Sequence, residues 1–168
     1  QDKLRTSLLP GLANVLQHNA NHDTADAALF EIGRVFRDDD GQPAESWSLA
    51  IALTGRRFSP FYEGAEREAM NEFADLKGII EEFADQFGMR GVSYERHDEA
   101  GEFFVESGSV KLGNKPVGTL GQFSPLLARR HDLKHPVFFA EFDLGQALQR
   151  RTTKRSFKAL PAFPGTRR

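Results

Sequence analysis

The stretch Leu29-Phe30-Glu31-Ile32-Gly33-Arg34-Val35-Phe36-Arg37 constrains this chain more than any other part of it. It is strand-length and β-prone, yet it carries two arginines and a glutamate. Asp38-Asp39-Asp40-Gly41 follows, and an Asp-Gly step favours a tight hairpin because Gly tolerates positive φ and Asp can bond its own backbone. The run from Trp47 to Gly55 is the natural antiparallel partner, with residues 41–46 left as a loop longer than a two-residue hairpin. That partner run is almost continuously apolar, which predicts a central strand covered on both faces.

The remaining chain supplies helices and further hairpins. Leu8, Leu9, Leu12, Val15 and Leu16 recur at helical spacing, so residues 7 to about 20 are predicted as an amphipathic helix, with Thr6-Ser7 as N-cap and Pro10 in the first turn. Residues 56–70 read as a loop. Phe73, Leu76, Ile79, Ile80, Phe83 and Phe87 then define a helix, with Asn71 as cap and Gly88 as stop. Burying all six side chains would be worth on the order of 10 kcal/mol before entropy is counted. Val92–Arg96 is a short strand, and 109–112 with 117–121 form a hairpin about Gly113-Asn114-Lys115-Pro116. Ser124-Pro125 opens a short helix, and Val137–Leu144 is a buried strand. Neighbouring hairpins with interspersed helices favour an α+β fold, an antiparallel sheet with flanking helices.

Length and composition suit one soluble domain, at 168 residues with 39% hydrophobic and 27% charged residues. No apolar run approaches membrane-spanning length and nothing at the start resembles a signal peptide, which fits a cytoplasmic protein with no membrane partner. Cys is absent, so disulfides, thiolate metal sites and Cys nucleophiles are excluded. Seven of the 22 basic residues fall from Arg150 onward with no acid among them, so the body before them carries 24 acids against 15 bases. An acidic body argues against a nucleic-acid platform over the whole surface. The basic end, through Arg150, Arg151, Lys154 and Arg155, could touch phosphate or tRNA; a solvated linker is the plainer reading of the same charges.

Few residues carry a chemical pattern. His18 with His22, and His131 with His135, have the i, i+4 spacing that can chelate a metal on a helix. One member of each pair falls beyond its helix, so no metal site is assigned. Asp38, Asp39 and Asp40 could hold a hard cation, although adjacent carboxylates on a turn are ordinarily hydrated. Gly113, Gly118 and Gly121 lack phosphate-loop spacing. Arg34 and Arg37 point to opposite faces of a regular strand, and either could grip a phosphate or carboxylate. The alternative is an arginine covering the sheet edge or paired with Glu31, Asp38 or Asp39.

The order of motifs resembles a known family. Leu4-Arg5-Thr6-Ser7-Leu8-Leu9-Pro10-Gly11-Leu12 followed by Leu29–Phe36 resembles the synthetase-like module of the bacterial phenylalanyl-tRNA synthetase β subunit. Phe73-Ala74-Asp75-Leu76-Lys77-Gly78, Val117–Pro125, Phe138–Leu144 and Phe163-Pro164-Gly165-Thr166-Arg167-Arg168 are similar to further segments of that family, in the same order. The resemblance implies a class II aminoacyl-tRNA synthetase-like sheet, with residues 1–149 as the core module and 150–168 as a basic linker toward an anticodon-binding-like domain. It also implies that the opening strand is a central piece of the sheet.

In catalytic relatives an arginine in an F-R-x-E context holds the ATP α-phosphate, and Phe36-Arg37-Asp38-Asp39 echoes it with Asp39 in the Glu position. The later G-x-G-x-G…R segment is missing, and Gly101–Gly108 stands where family members often have His-Pro-Gly-Arg. Three functional readings follow. The first is a non-catalytic structural and interface domain of a phenylalanine–tRNA ligase. Its parent enzyme uses ATP and magnesium, and its partners are an α subunit, in a heterotetramer of two α and two β, and phenylalanine tRNA; this segment itself holds no cofactor. The second is an independent ATP-binding enzyme built on Arg37. The third is a tRNA-contacting module working through the basic end. Whether the segment itself catalyses anything stays open between them.

Overall fold

The computed structural model describes residues 4–39, 42–58, 64, 68–99 and 101–152, without the side chains of residues 38 and 39. Its centre is a six-stranded sheet in the order β1-β2-β6-β5-β4-β3, with every neighbouring pair antiparallel. The strands are β1 (Ala27–Asp39), β2 (Gln42–Thr54), β3 (Val92–Arg96), β4 (Phe104–Leu112), β5 (Lys115–Phe123) and β6 (Val137–Asp143). Helices α1 (Leu9–Ala20), α2 (Phe73–Gln86), α3 (Pro125–Arg130) and α4 (Leu144–Leu148) flank it. This is the α+β architecture that the alternating hairpins predict.

β1 and β2 pair without interruption from Ala27↔Thr54 to Asp39↔Gln42, so only residues 40 and 41 lie between them. Of the loop expected over 41–46, residues 42–46 are instead strand. Pro43 is compatible with this because β2 pairs with β6 only from Ser48 onward, leaving its first half without a second neighbour. From Ser48 to Thr54 every residue of β2 is buried, as its apolar run predicts. β1, by contrast, lies at the sheet edge and is not a central piece. Its face toward α1 is covered at Gly33 and Val35, while Phe30 and Ile32 on the other face stay exposed at 73% and 51%.

The sheet has a core on each side. On one, Leu49, Ile51, Leu120, Phe138 and Phe142 meet Leu76 and Ile80 of α2. On the other, Val35, Ala52, Phe123 and Phe139 meet Leu8, Leu12 and Leu16 around α1. The atypical segment before β4 feeds this second core, since the Phe103 ring lies 4.8 Å from Phe123 and 5.6 Å from Phe139. β4 and β5 each extend beyond the expected hairpin, and only Gly113 and Asn114 separate them.

The helix starts are set by tertiary partners. α1 begins one residue after Leu8, whose own backbone supplies the cap position. Ser7 Oγ accepts the Leu9 N–H at 3.1 Å, and Val15, expected in the buried stripe, is exposed while Ala13 takes its place. Asn71 does not cap α2. Its Nδ2 donates to the carbonyl oxygens of Thr54, Gly55 and Arg56 at 3.1–3.2 Å, which ties the helix to the end of β2. Glu72 is the cap residue, and its N–H donates to the Asp75 carboxylate at 2.7 Å. The six-residue stripe of this helix is only partly covered: Leu76 and Ile80 are buried, whereas Ile79 and Phe87 are exposed. α4 begins at Leu144, where a strand was expected, because the Asp143 carboxylate accepts the Gln146 N–H.

Close strand contact makes Gly121 obligatory, as it does other strand glycines such as Gly118. A Cβ on Gly121 would stand 2.6 Å from the Glu106 carbonyl oxygen and 2.6 Å from the Phe104 ring. Gly121→Ala is therefore expected to destabilise the fold by about 1–3 kcal/mol. Gly78, exposed in the middle of α2 with nothing within 4 Å, gives the opposite sign, a gain of up to about 1 kcal/mol for Gly78→Ala. Urea denaturation of both variants measures the contrast.

Candidate functional site

β1 alternation puts Arg34 and Arg37 on opposite faces of the hairpin, as their spacing predicts. Arg34 is occupied: its guanidinium lies 5.0 Å from the Trp47 ring centre and donates to Glu45 at 2.8 Å. The partner seen is thus the cross-strand Glu45 and not Glu31, while the side chains of Asp38 and Asp39 lie outside the described residues. Glu31 belongs to Arg5, whose Nη1 reaches it at 2.7 Å. Gly33 leaves the space that the Arg5 side chain fills, and Arg5 also closes part of the β1 edge. Its Nε donates to the Arg34 carbonyl and its own carbonyl accepts the Phe36 N–H, both at 2.9 Å.

Arg37 faces a depression of about 250 Å³ whose lining includes Ser109, Thr119, Glu141, Asp143 and Gln146. Its Nη1 is 3.9 Å from Asp143 Oδ2, a long ion pair between an exposed arginine and a carboxylate already engaged by α4. Glu141, two residues earlier on the same face of β6, has a different task. Its carboxylate accepts the Ser7 hydroxyl at 2.6 Å and the Leu8 N–H at 2.9 Å. The Ser48 hydroxyl lies 2.9 Å from the same carboxylate and 3.0 Å from the Phe142 carbonyl. One guanidinium thus shares its surroundings with two carboxylates. A phosphoryl group needs a surplus of positive donors aimed at its oxygens, and this lining offers the reverse. The backbone of Asp39 pairs with Gln42 at the hairpin end, and its side chain lies outside the described residues, as does the whole of Asp40.

The other face of the hairpin carries an apolar cleft of about 510 Å³. β1 and β2 form its floor with Phe30, Ile32 and Leu49, and α2 and α4 form its wall with Ile79, Phe83, Phe87 and Leu148. Sequence periodicity identifies these residues as apolar but assigns them to the core. No local signal marks them as uncovered, because amphipathicity reports that a face is apolar and not what lies over it.

The histidine pairs sit in different surroundings. The His18 and His22 rings lie 4.3 Å apart, but His22 Nδ1 is 2.8 Å from the His18 carbonyl oxygen and is used there. His131 Nδ1 is buried without a partner, its ring 5.9 Å from Phe123. Among the described residues, no three His, Asp or Glu side chains are placed to hold a metal ion. Arg150 and Arg151 are exposed after α4, while Lys154 and Arg155 lie outside the described residues. Among the described residues no helix is long and apolar enough to cross a membrane.

Comparison with known proteins gives a consistent picture. The family described as "Phenylalanyl tRNA synthetase beta chain CLM domain" matches residues 1–144. A phenylalanine–tRNA ligase β subunit from Protochlamydia amoebophila is 34% identical over 100% of this chain and 21% of its own length. Another from Symbiobacterium thermophilum is 31% identical over 98% of this chain and 18% of its own length. Among solved structures, a pyrrolysyl-tRNA synthetase of Desulfitobacterium hafniense superposes with a TM-score of 0.65 at 16% identity, covering 91% of this chain and 54% of that one. That likeness is one of fold, the class II synthetase-like sheet.

The two charged residues separate cleanly by experiment. Glu141→Ala leaves the Leu8 N–H and the Ser7 hydroxyl without their acceptor, with Ser48 keeping the Phe142 carbonyl, and is expected to cost about 1.5–3 kcal/mol in chemical denaturation. Arg37→Ala, at an exposed position, is expected to change stability by less than about 0.5 kcal/mol.

Proposed function

Because the chain belongs to the family of phenylalanyl-tRNA synthetase β-chain CLM domains, we propose that it is a non-catalytic structural and interface domain of a phenylalanine–tRNA ligase. The chain spans about a fifth of the length of the curated relatives it matches, so the activity, substrates and partners of the whole ligase belong to this proposal. The parent enzyme joins phenylalanine to its tRNA with ATP and magnesium in the cytoplasm. The chemistry sits in an α subunit, in a heterotetramer of two α and two β. Residues 1–149 form the core module, and 150–168 link it to an anticodon-binding-like domain.

The observation that carries this reading is the company of Arg37. The strand that holds the phosphate-gripping arginine in catalytic relatives is retained, but Asp143 and Glu141 stand beside that arginine. Glu141 is committed to holding the start of α1. A triphosphate brought here would meet two carboxylates within the same depression, and like charges in partly desolvated surroundings repel strongly. Support for an interface role comes from the β1 edge, where Ile32 and Trp47 are about half exposed beside a strand with a neighbour on one side only.

Two measurements test the two halves of the proposal. Calorimetry of this chain with ATP and magnesium is expected to give no binding heat. Micromolar binding that is lost in Arg37→Ala would replace this reading with an ATP-binding domain. A β subunit containing this domain is expected to co-purify with the α subunit, and failure to associate overturns the interface half.

A further inference from the structure

The segments that follow α2 and α4 bring together arginines that the fold does not neutralise. Met89 and Arg151 form an antiparallel bridge there, and the Gly88 carbonyl accepts the Thr152 N–H at 2.9 Å. With 88 opposite 152 and 89 opposite 151, the same register sets Arg90 opposite Arg150. Met89 is buried, while Arg90, Arg150 and Arg151 are exposed. The Gly91 carbonyl accepts the Gly113 N–H at 2.9 Å, which brings the β4–β5 turn and the exposed Lys115 to the same end of the sheet.

Other arginines of this acidic body are paired. Arg34, Arg56, Arg57 and Arg96 each meet a carboxylate within 3.4 Å. Arg90, Arg150 and Arg151 have no ion pair among the described residues, even with Asp85 in the last turn of α2. No acid follows Asp143 in the sequence. Like charges directly opposite on paired strands repel, so the free chain holds Arg90 against Arg150 at an electrostatic cost. An anion between them removes that cost, and two guanidinium forks suit the oxygens of a phosphate. Lys115 stands two strands from β3, about 10 Å away. A row of this length fits a chain of phosphates better than one small anion.

We infer that Arg90 and Arg150 grip one backbone phosphate of an RNA, with Arg151 and Lys115 beside the neighbouring phosphates. The choice of RNA among polyanions rests on the ligase reading, in which tRNA is the nucleic acid at hand. Backbone contacts add affinity and fix orientation without reading sequence. This end of the sheet therefore steadies a tRNA whose identity is read elsewhere.

Fluorescence anisotropy of the chain with a labelled phenylalanine tRNA transcript tests the site. Arg90→Gln with Arg150→Gln is compared with Arg129→Gln and Arg130→Gln, an exposed arginine pair on α3 at the far end of β5. The first double variant is expected to bind about ten-fold more weakly. Its plot of log affinity against log salt is expected to be shallower by about 0.7–0.9, the loss of one phosphate contact. The α3 variant, more than a Debye length away, is expected to stay within about two-fold of the parent chain. The proposal fails if the parent chain does not bind, if both variants weaken alike, or if neither does. A poly-glutamate peptide that binds as tightly as the tRNA overturns it in favour of an acidic protein partner. At low salt the urea midpoint of the first variant is expected to hold or rise, because a repulsion is removed. A fall overturns the proposal, since the arginines would then serve the carbonyl end of α2. No α subunit is needed, so failure here leaves the interface reading standing, and loss of α association leaves the tRNA result standing.

Discussion

The carboxylate of Glu141 is the contact on which the geometry of this domain turns. It sits near the middle of the sheet and draws donors from two other elements, the Ser7–Leu8 turn that starts α1 and Ser48 in β2. A charged acceptor with several short donors is among the stronger local contacts available to a protein. Together with the Ser7 hydroxyl it stands in for the side-chain cap that Leu8 cannot supply, and so sets how α1 lies over Val35, Ala52 and Phe139. The same contact places negative charge in the depression that Arg37 faces, where Asp143 adds a second carboxylate.

The opposite face follows a different logic. One long helix is narrower than six strands, since a helix with its side chains is about 10 Å across and adjacent strands are about 4.8 Å apart. α2 covers the middle of the sheet and leaves β1 open. Phe30 and Ile32 are thus exposed by the layer geometry and not by any irregularity of the strand. Arg5 answers part of the same problem at the edge by bonding the Arg34 carbonyl and the Phe36 N–H, which blunts one end of a strand that would otherwise offer its full length for pairing.

Strand alternation and turn chemistry made the sheet legible in the sequence. Leu29 to Phe36, Ser48 to Thr54 and Val137 to Phe142 are β-rich runs of the right length, and the structure places each in a strand. What sequence could not rank were local signals in competition with distant partners. Asn71 is a good cap by composition, yet three carbonyls at the end of β2 claim its amide. The run Glu141-Phe142-Asp143 in β6 puts both acids on one face by its period of two, but nothing near Glu141 announces Ser7 and Ser48, 134 and 93 residues away. Arg37 is the instructive case. Its motif position was readable, and its meaning depended on neighbours from another strand.

The central claim is that the Arg37 face supports the fold and takes no part in the chemistry of the assembled enzyme. The most direct measurement is the rate of tRNA charging by a complete ligase in which only the β subunit carries Arg37→Ala. The account predicts a kcat within about two-fold of the wild type, with the assembly intact. A loss of about 10²–10³-fold at unchanged assembly, the scale for removing a donor that stabilises transition-state charge, would contradict it.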